Sequence, residues 1–169
     1  IGIACGLSRT SKTVIASTLA VFAPGRVYDQ MRNTLAHSLC DVKVIVTHAG
    51  ISVGKDGSSH QTLEDLALAR VIPGMRVIVP SDAVETKEAV SLAADTPGPF
   101  YIRLGRAAVP VINKEGCFQL GKGKILKDGK DITLIGCGMM VFEMLKAAGI
   151  LKGWGISTRI VNMSTIKPI

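Results

Sequence analysis

Aromatic side chains are scarce: Phe, Trp and Tyr make up 4% of the 169 residues. Single-stranded nucleic acid is bound by rings alternating with cations, and that pattern is missing. Twenty Lys and Arg stand against 13 Asp and Glu, for a net charge of +7, yet they nowhere gather into a dense basic run. No nucleic-acid partner is expected. Long apolar runs are missing too. None approaches the ~18 residues of a membrane-spanning helix, so no membrane partner is expected. Ile1-Gly2-Ile3-Ala4-Cys5 has neither the Met nor the basic flank of a secretory signal. Cys5, Cys40, Cys117 and Cys137 form no CxxC pair, which argues against a cysteine zinc site. Each lies in or beside an apolar segment and reads as a buried free thiol of a protein in the reducing cytoplasm.

Apolar residues are 47% of the chain and charged residues 20%, enough to bury a core. The basic excess lies mostly after Asn113 and suits small phosphorylated anions. Short β-branched runs alternate with helical ones. Strands are expected at Thr13–Ser17, Val42–Thr47, Arg76–Val79 and Phe100–Leu104. Helices are expected at Ile1–Leu7, at Val27–Leu39 (Val27, Met31, Leu35 and Leu39 at four-residue spacing), at Leu63–Val71 behind a Thr62/Asp65 capping box, and at Ala83–Ala94. This is an α/β pattern with a buried parallel sheet. After Asn113 the texture changes. Phe118–Leu126 and Asp131–Ile135 read as strands with a hairpin signal at Asp128-Gly129 between them, followed by a helix at Met139–Leu151 and a strand at Thr158–Asn162. Two domains are expected, 1–113 and 114–169. Both chain ends look cut, Ile1–Arg9 being a helix already under way and Thr165–Ile169 stopping after an apolar run, so the second domain reads as incomplete.

In parallel sheets ligands bind beyond the carboxyl ends of the strands. His48, Arg106 and the Thr18–Phe22 segment fall there. The loop Thr47–Gln61 carries His48, Lys55, Asp56 and His60 among glycines and hydroxyls. Glycines let the backbone approach a ligand, a following helix favours an anion, and His60 can donate to a phosphate or move a proton near neutral pH. A solvated polar turn is an equal reading from composition. A metal site of His48, Asp56 and His60 matches no zinc spacing, and none is assigned. Gly136-Cys137-Gly138 opens like a dinucleotide fingerprint, but Val141 stands where its third glycine belongs, so a tight strand-to-helix turn is preferred. The lysines at 114, 122, 124, 127 and 130 read as a solvated face.

Several segments together resemble the transketolases. They are Ala16-Ser17-Thr18-Leu19-Ala20-Val21-Phe22 with Tyr28-Asp29-Gln30-Met31-Arg32-Asn33, the Gly54-Lys55-Asp56-Gly57-Ser58-Ser59-His60-Gln61 stretch, Leu63–Ala67, Pro80-Ser81-Asp82, Tyr101–Arg106 and Asn162–Pro168. The likeness is nearest to the C-terminal sections of split enzymes. It implies a pyrimidine-type thiamine-diphosphate-binding domain followed by the start of a second α/β domain, and ketol transfer between phosphorylated sugars. By this resemblance His48 and Arg106 hold a substrate phosphate, Asp56 reads a substrate hydroxyl, His60 bonds near the reacting centre, and Phe22 receives the cofactor's aminopyrimidine. Arg suits phosphate as a planar fork.

Three departures stand out. Lys55 replaces a usual acid, and Leu19 replaces an aromatic that often stacks on the cofactor. The family's catalytic glutamate belongs just upstream of the segment matching Ile1-Gly2-Ile3. The diphosphate and Mg2+ or Ca2+ ligands belong to an N-terminal domain. The resemblance therefore implies a chain that works only with an N-terminal transketolase section or a second protomer. The rivals are a 1-deoxyxylulose-phosphate synthase or 2-oxoacid dehydrogenase β-subunit of the same fold, and a non-catalytic assembly or regulatory subunit.

Overall fold

A computed structural model describes all 169 residues. Helix α1 (Gly2–Ser8) leads into β1 (Val14–Leu19). β2 (Val42–Thr47), β3 (Arg76–Ile78) and β4 (Phe100–Arg103) follow, with α2 (Asp65–Val71) and α3 (Ala83–Asp95) between them. These four strands and β8 (Thr165–Lys167) form a five-stranded sheet in the order β1-β2-β4-β3-β8, in which the first four run parallel. A three-stranded sheet is built from β5 (Lys124–Lys127), β7 (Thr158–Asn162) and β6 (Ile132–Gly136) in that order, with α4 (Met140–Gly153) between β6 and β7 in sequence. No helix is long and apolar enough to cross a membrane.

β2 is a β-branched run because both faces of a central parallel strand are covered; Val42, Val44 and Val46 are all fully buried. Lys43 lies in the same strand and is equally buried. Its ammonium pairs with Asp41, donates to Thr96 O at 2.7 Å and Gly98 O at 2.8 Å, and sits over the Phe100 ring. These partners fill its three donors, which is how a cation tolerates the core while burial lowers its pKa. α3 starts where Asp82 Oδ1 accepts from the Glu85 N–H at 2.9 Å, and Glu85 reaches back to the Ser81 N–H at 2.7 Å. That reciprocal pairing satisfies donors that a helix start leaves open.

The structure revises several expectations. The helix expected over Val27–Leu39 is regular only at Gln30–His37, where it is wound wide as a π-helix. Met31, Leu35 and Ala36 are buried, while Leu39 lies past the helix end at φ +49 and is 69% exposed. The wider turn puts residues four and five apart on one face, and the left-handed residue at Leu39 reverses the chain into β2. No capping box forms at Thr62. Glu64 occupies the cap of α2 without a side-chain bond to the helix, and Asp65 points into the core. Phe118 and Leu120 pack beside the Ile78–Phe100 cluster rather than pairing in a strand. The Phe118 N–H donates to Glu88 Oε2 at 2.9 Å, so the strand begins only at Lys124. Asp128-Gly129 makes no hairpin, because β7 lies between β5 and β6. A Cβ on Gly129 would come within 2.2 Å of the Thr158 backbone, and that contact explains the glycine. Only Cys5 and Cys40 are buried; Cys117 and Cys137 are half-buried, and all four are free thiols.

The segment Thr165–Lys167 forms an unforeseen β8, antiparallel to β3 at the edge of the first sheet. Lys167 holds it there by donating to Arg70 O at 2.8 Å and Ile72 O at 2.6 Å, the open carbonyls at the end of α2. A buried polar cluster joins the two sheets: Asn162 in β7 donates to Glu85 Oε1 at 3.0 Å, and Asn113 donates to Ser81 Oγ at 2.9 Å.

Candidate functional site

The carboxyl ends of β1, β2 and β4 place the candidate residues on one edge. β2 ends at Thr47 and the chain turns at once through His48, whose φ of +60 is left-handed. That conformation is uncommon for a non-glycine residue and typical of functional loops. Gly50 pairs with Thr62 in an antiparallel bridge, which closes the loop at its base. Within it Gly54–Asp56 and Ser58–His60 form two short 3-10 turns joined by Gly57.

Both histidines are held by the hydroxyl that precedes them. Thr47 Oγ1 lies 2.8 Å from His48 Nδ1, and Ser59 Oγ lies 2.9 Å from His60 Nδ1. When the hydroxyl donates, Nδ1 accepts and Nε2 carries the proton. Each ring then offers an Nε2–H donor on the side away from its support.

Arg106 crosses to the middle of the same loop. Its Nη1 donates to Val53 O and lies 3.4 Å from Asp56 Oδ2. Gly54 has φ +70, a conformation that favours glycine, and a Cβ there would lie 3.0 Å from this nitrogen and press on the Arg106 side chain. Arg106 and Asp56 are each a little over one-third exposed, which leaves the fork open to an arriving anion. Lys55 is exposed beside them.

Phe22 meets His60 edge to face, with ring centroids 5.6 Å apart and planes at 72°. The Arg26 guanidinium carbon lies 4.4 Å from the Phe22 centroid, within cation–π range. Phe22 and Arg26, with Ile1, Ser17, Thr18 and Val44, line a cavity of about 230 Å³. One aromatic ring, the apolar side chains of Ile1, Ala16, Ala23, Val27 and Val44, two hydroxyls and the Arg26 guanidinium line it; an apolar slot with a few polar groups suits a flat heteroaromatic ring with polar edges, so these residues fit an aminopyrimidine. Leu19 does not line this cavity. No group of three His, Cys, Asp or Glu comes together to hold a metal ion, and no residue here is assigned to one.

The edge thus brings Phe22 to His60 and Arg106 to Asp56, while His48 stands at the start of the same loop. A second cleft of about 300 Å³ lies beyond β3 and β4, lined by Ser81, Asp82, Thr86, Arg103 and Met139 among others. The Gly136-Cys137-Gly138 turn closes it, with the Gly138 N–H donating to Val79 O at 3.2 Å.

Asp65, expected from its place in the sequence to cap a helix, instead forms a network with Tyr101 and Arg103. Arg103 Nε donates to Asp65 Oδ2 at 2.7 Å and the Tyr101 hydroxyl to the same oxygen at 3.0 Å. Asp65, Ala69 and Ile72 share one buried face at i, i+4, i+7 spacing, where an uncompensated charge would be costly; the spacing is readable in the sequence, but the burial that gives it meaning is not.

Residues 1–111 match the transketolase pyrimidine-binding domain and residues 121–169 the transketolase C-terminal domain. The chain is 48% identical over 172 aligned residues to a Methanocaldococcus jannaschii protein named "Putative transketolase C-terminal section", covering 100% of this chain and 54% of that protein. It is 39% identical to one of the subunits of an apulose-4-phosphate transketolase from Phocaeicola vulgatus, covering 100% of this chain and 55% of that one. A solved structure described as "Split gene transketolase, inactive beta4 tetramer" superposes with a TM-score of 0.91 at 46% identity, over 99% of this chain and 55% of the other. The chain therefore spans about half the length of these relatives. With two matching domains in their order, and relatives that align along its full length, the chain belongs to the transketolase family.

Proposed function

We infer that this chain supplies the pyrimidine-binding side of a thiamine-diphosphate-dependent transketolase, which moves a two-carbon ketol unit from a ketose phosphate to an aldose phosphate. The observation that carries this reading is the cavity lined by Phe22, whose ring meets His60 edge to face, with Arg106 paired to Asp56 of the His60 loop. Residues 1–113 form the pyrimidine-binding unit and 114–169 the beginning of the C-terminal unit. The diphosphate and its Mg2+ or Ca2+ belong to an N-terminal section or a second protomer, in a cytoplasmic oligomer.

When bound, thiamine diphosphate supplies the nucleophilic carbon and electron sink that cleavage beside a ketone requires. Phe22 would hold the pyrimidine ring by stacking. His60, oriented by Ser59, would offer its Nε2 to hydrogen-bond a substrate oxygen and to hold or release a proton. Arg106 and His48 take the substrate phosphate by charge-assisted bonds, and Asp56 accepts from a sugar hydroxyl while steadying the Arg106 fork. Because phosphate binding lies away from the bond that breaks, it positions the substrate for reaction.

The test is two-carbon transfer by the complete enzyme, supplied with thiamine diphosphate, a divalent cation, a ketose phosphate and an aldose phosphate, with products identified by mass. Transfer supports the reading. Turnover of a 2-oxoacid with no turnover of the ketose phosphate would favour the sister enzymes, and no turnover of either donor would favour a non-catalytic role.

A further inference from the structure

The segment carrying Phe22 and the loop carrying His60 are both fastened to β4. Ala23 directly follows Phe22, and its carbonyl oxygen lies 3.2 Å from the Tyr101 hydroxyl. The same hydroxyl lies 3.0 Å from Asp65 Oδ2, so its single proton is shared between two acceptors. Asp65 opens α2 five positions after His60, and the intervening chain is pinned where Thr62 bridges Gly50. The Phe22–His60 contact is thus one side of a closed circuit, whose other sides are Ala23, Tyr101 and Asp65.

Two features separate this hydroxyl from ordinary core packing. The charge of Asp65 is already matched by Arg103, which donates to it from Nε at 2.7 Å and Nη2 at 3.3 Å. A phenyl ring would keep the apolar packing of this fully buried residue and lose only the hydroxyl. What the hydroxyl adds is the tie from Asp65 to the backbone behind Phe22. Burial and the neighbouring carboxylate also push the Tyr101 ionisation far upward, so the donor keeps its proton at any working pH.

We propose that Tyr101 and Asp65 are positioning residues for the cofactor pocket: by tying the Ala23 carbonyl to the root of the His60 loop they set the spacing of Phe22 and His60, and with it the affinity for the pyrimidine ring. This rests on the thiamine-diphosphate reading of the site given above. Neither residue touches the ring itself. They act through Phe22 and His60, so their removal weakens binding of the cofactor more than it slows turnover at saturation.

The complete enzyme, assembled with the section that holds the diphosphate, is titrated with thiamine diphosphate while its melting temperature is followed, since a ligand of the folded state raises it by mass action. Tyr101→Phe should raise the half-saturating concentration about five- to thirtyfold, the effect of losing one buried hydrogen bond from the bound arrangement, with turnover at saturating cofactor largely kept. Asp65→Asn, which leaves an oxygen for Tyr101 but weakens it as an acceptor, should shift half-saturation the same way by a smaller factor. Ile160→Ala, a core change on β7 in the other sheet, should lower the melting temperature without moving half-saturation. Unchanged half-saturation in both circuit variants overturns the proposal, and so does an equal shift in Ile160→Ala. If the parent enzyme shows no response to thiamine diphosphate, the reading of the site fails first and this proposal with it.

Discussion

Arg106 offers its guanidinium where the loop leaves it partly exposed, and that sets the most direct test at the level of single residues. In the complete enzyme Arg106→Ala should raise KM for a phosphorylated acceptor about ten- to hundredfold, the worth of a charge-assisted bond, while kcat falls much less, because the bond is made equally to ground and transition states. With an unphosphorylated acceptor the effect should nearly vanish; equal losses with both acceptors would refute the phosphate role. Lys55 is exposed next to Asp56, so its contribution is long-range and screened. Lys55→Glu should raise KM at low ionic strength, and the difference should close in high salt; a difference independent of salt would place Lys55 outside the field felt by substrate. That His48, Asp56, His60 and Arg106 stand on one sheet edge was legible, because the Thr47–Gln61 loop and Arg106 each follow the end of a strand. Asp65 was not, because an acid near a helix start looks like a cap until the burial of its face is known. Phe22 could be named only from the family resemblance, since one phenyl ring carries no spacing signal.

Among the elements, α3 depends on Asp82 more than on helix propensity. Asp82 Oδ1 caps Glu85, and Oδ2 accepts from the N–H groups of Ile112 and Asn113, both at 2.7 Å. Burial alone would raise the pKa of this carboxyl, but those backbone donors and the Asn113 side chain outweigh it and hold the carboxyl below the usual Asp value. Protons therefore bind the unfolded chain first as pH falls. The stabilisation is complete above the ordinary value of 3.8 and is lost as pH drops through the lower folded value. Asp82→Asn should be destabilised by about 1–3 kcal/mol near neutral pH, and its melting temperature should approach that of the parent in acid below that value. A gap that stays constant with pH would mean the charge is irrelevant. The strands β2 and β7 were readable from β-branched runs, β4 from its Phe-Tyr-Ile run, and α3 from its length. The wide helix at Gln30–His37 was not, since four-residue spacing fits either winding. Nor was β8 readable, since three residues give no period. The Asp128-Gly129 signal misled because a turn dipeptide fixes a bend and says nothing of which strand is the next neighbour.

At the scale of the molecule, a chain that furnishes one side of a site needs a surface for the other. Ile3 is 84% and Leu7 47% exposed on α1, one turn apart on a short helix whose first neighbour, Ile1, lines the Phe22 cavity. If the partner covers this face, Ile3→Asp should weaken assembly in sedimentation experiments at least tenfold, as loss of a buried anchor does, while leaving the melting temperature of the unassembled chain within about 2 °C, as a surface change does. Unaltered assembly would move the interface elsewhere. The return of β8 to the first sheet has a further meaning during synthesis. The edge of β3 is finished early, yet its neighbour Thr165–Lys167 emerges roughly ninety residues later, which at ribosomal speed is on the order of ten seconds. For that interval the nascent chain carries an open strand edge of the kind that pairs with other chains, and crowded polysomes are where this sheet has the most to lose.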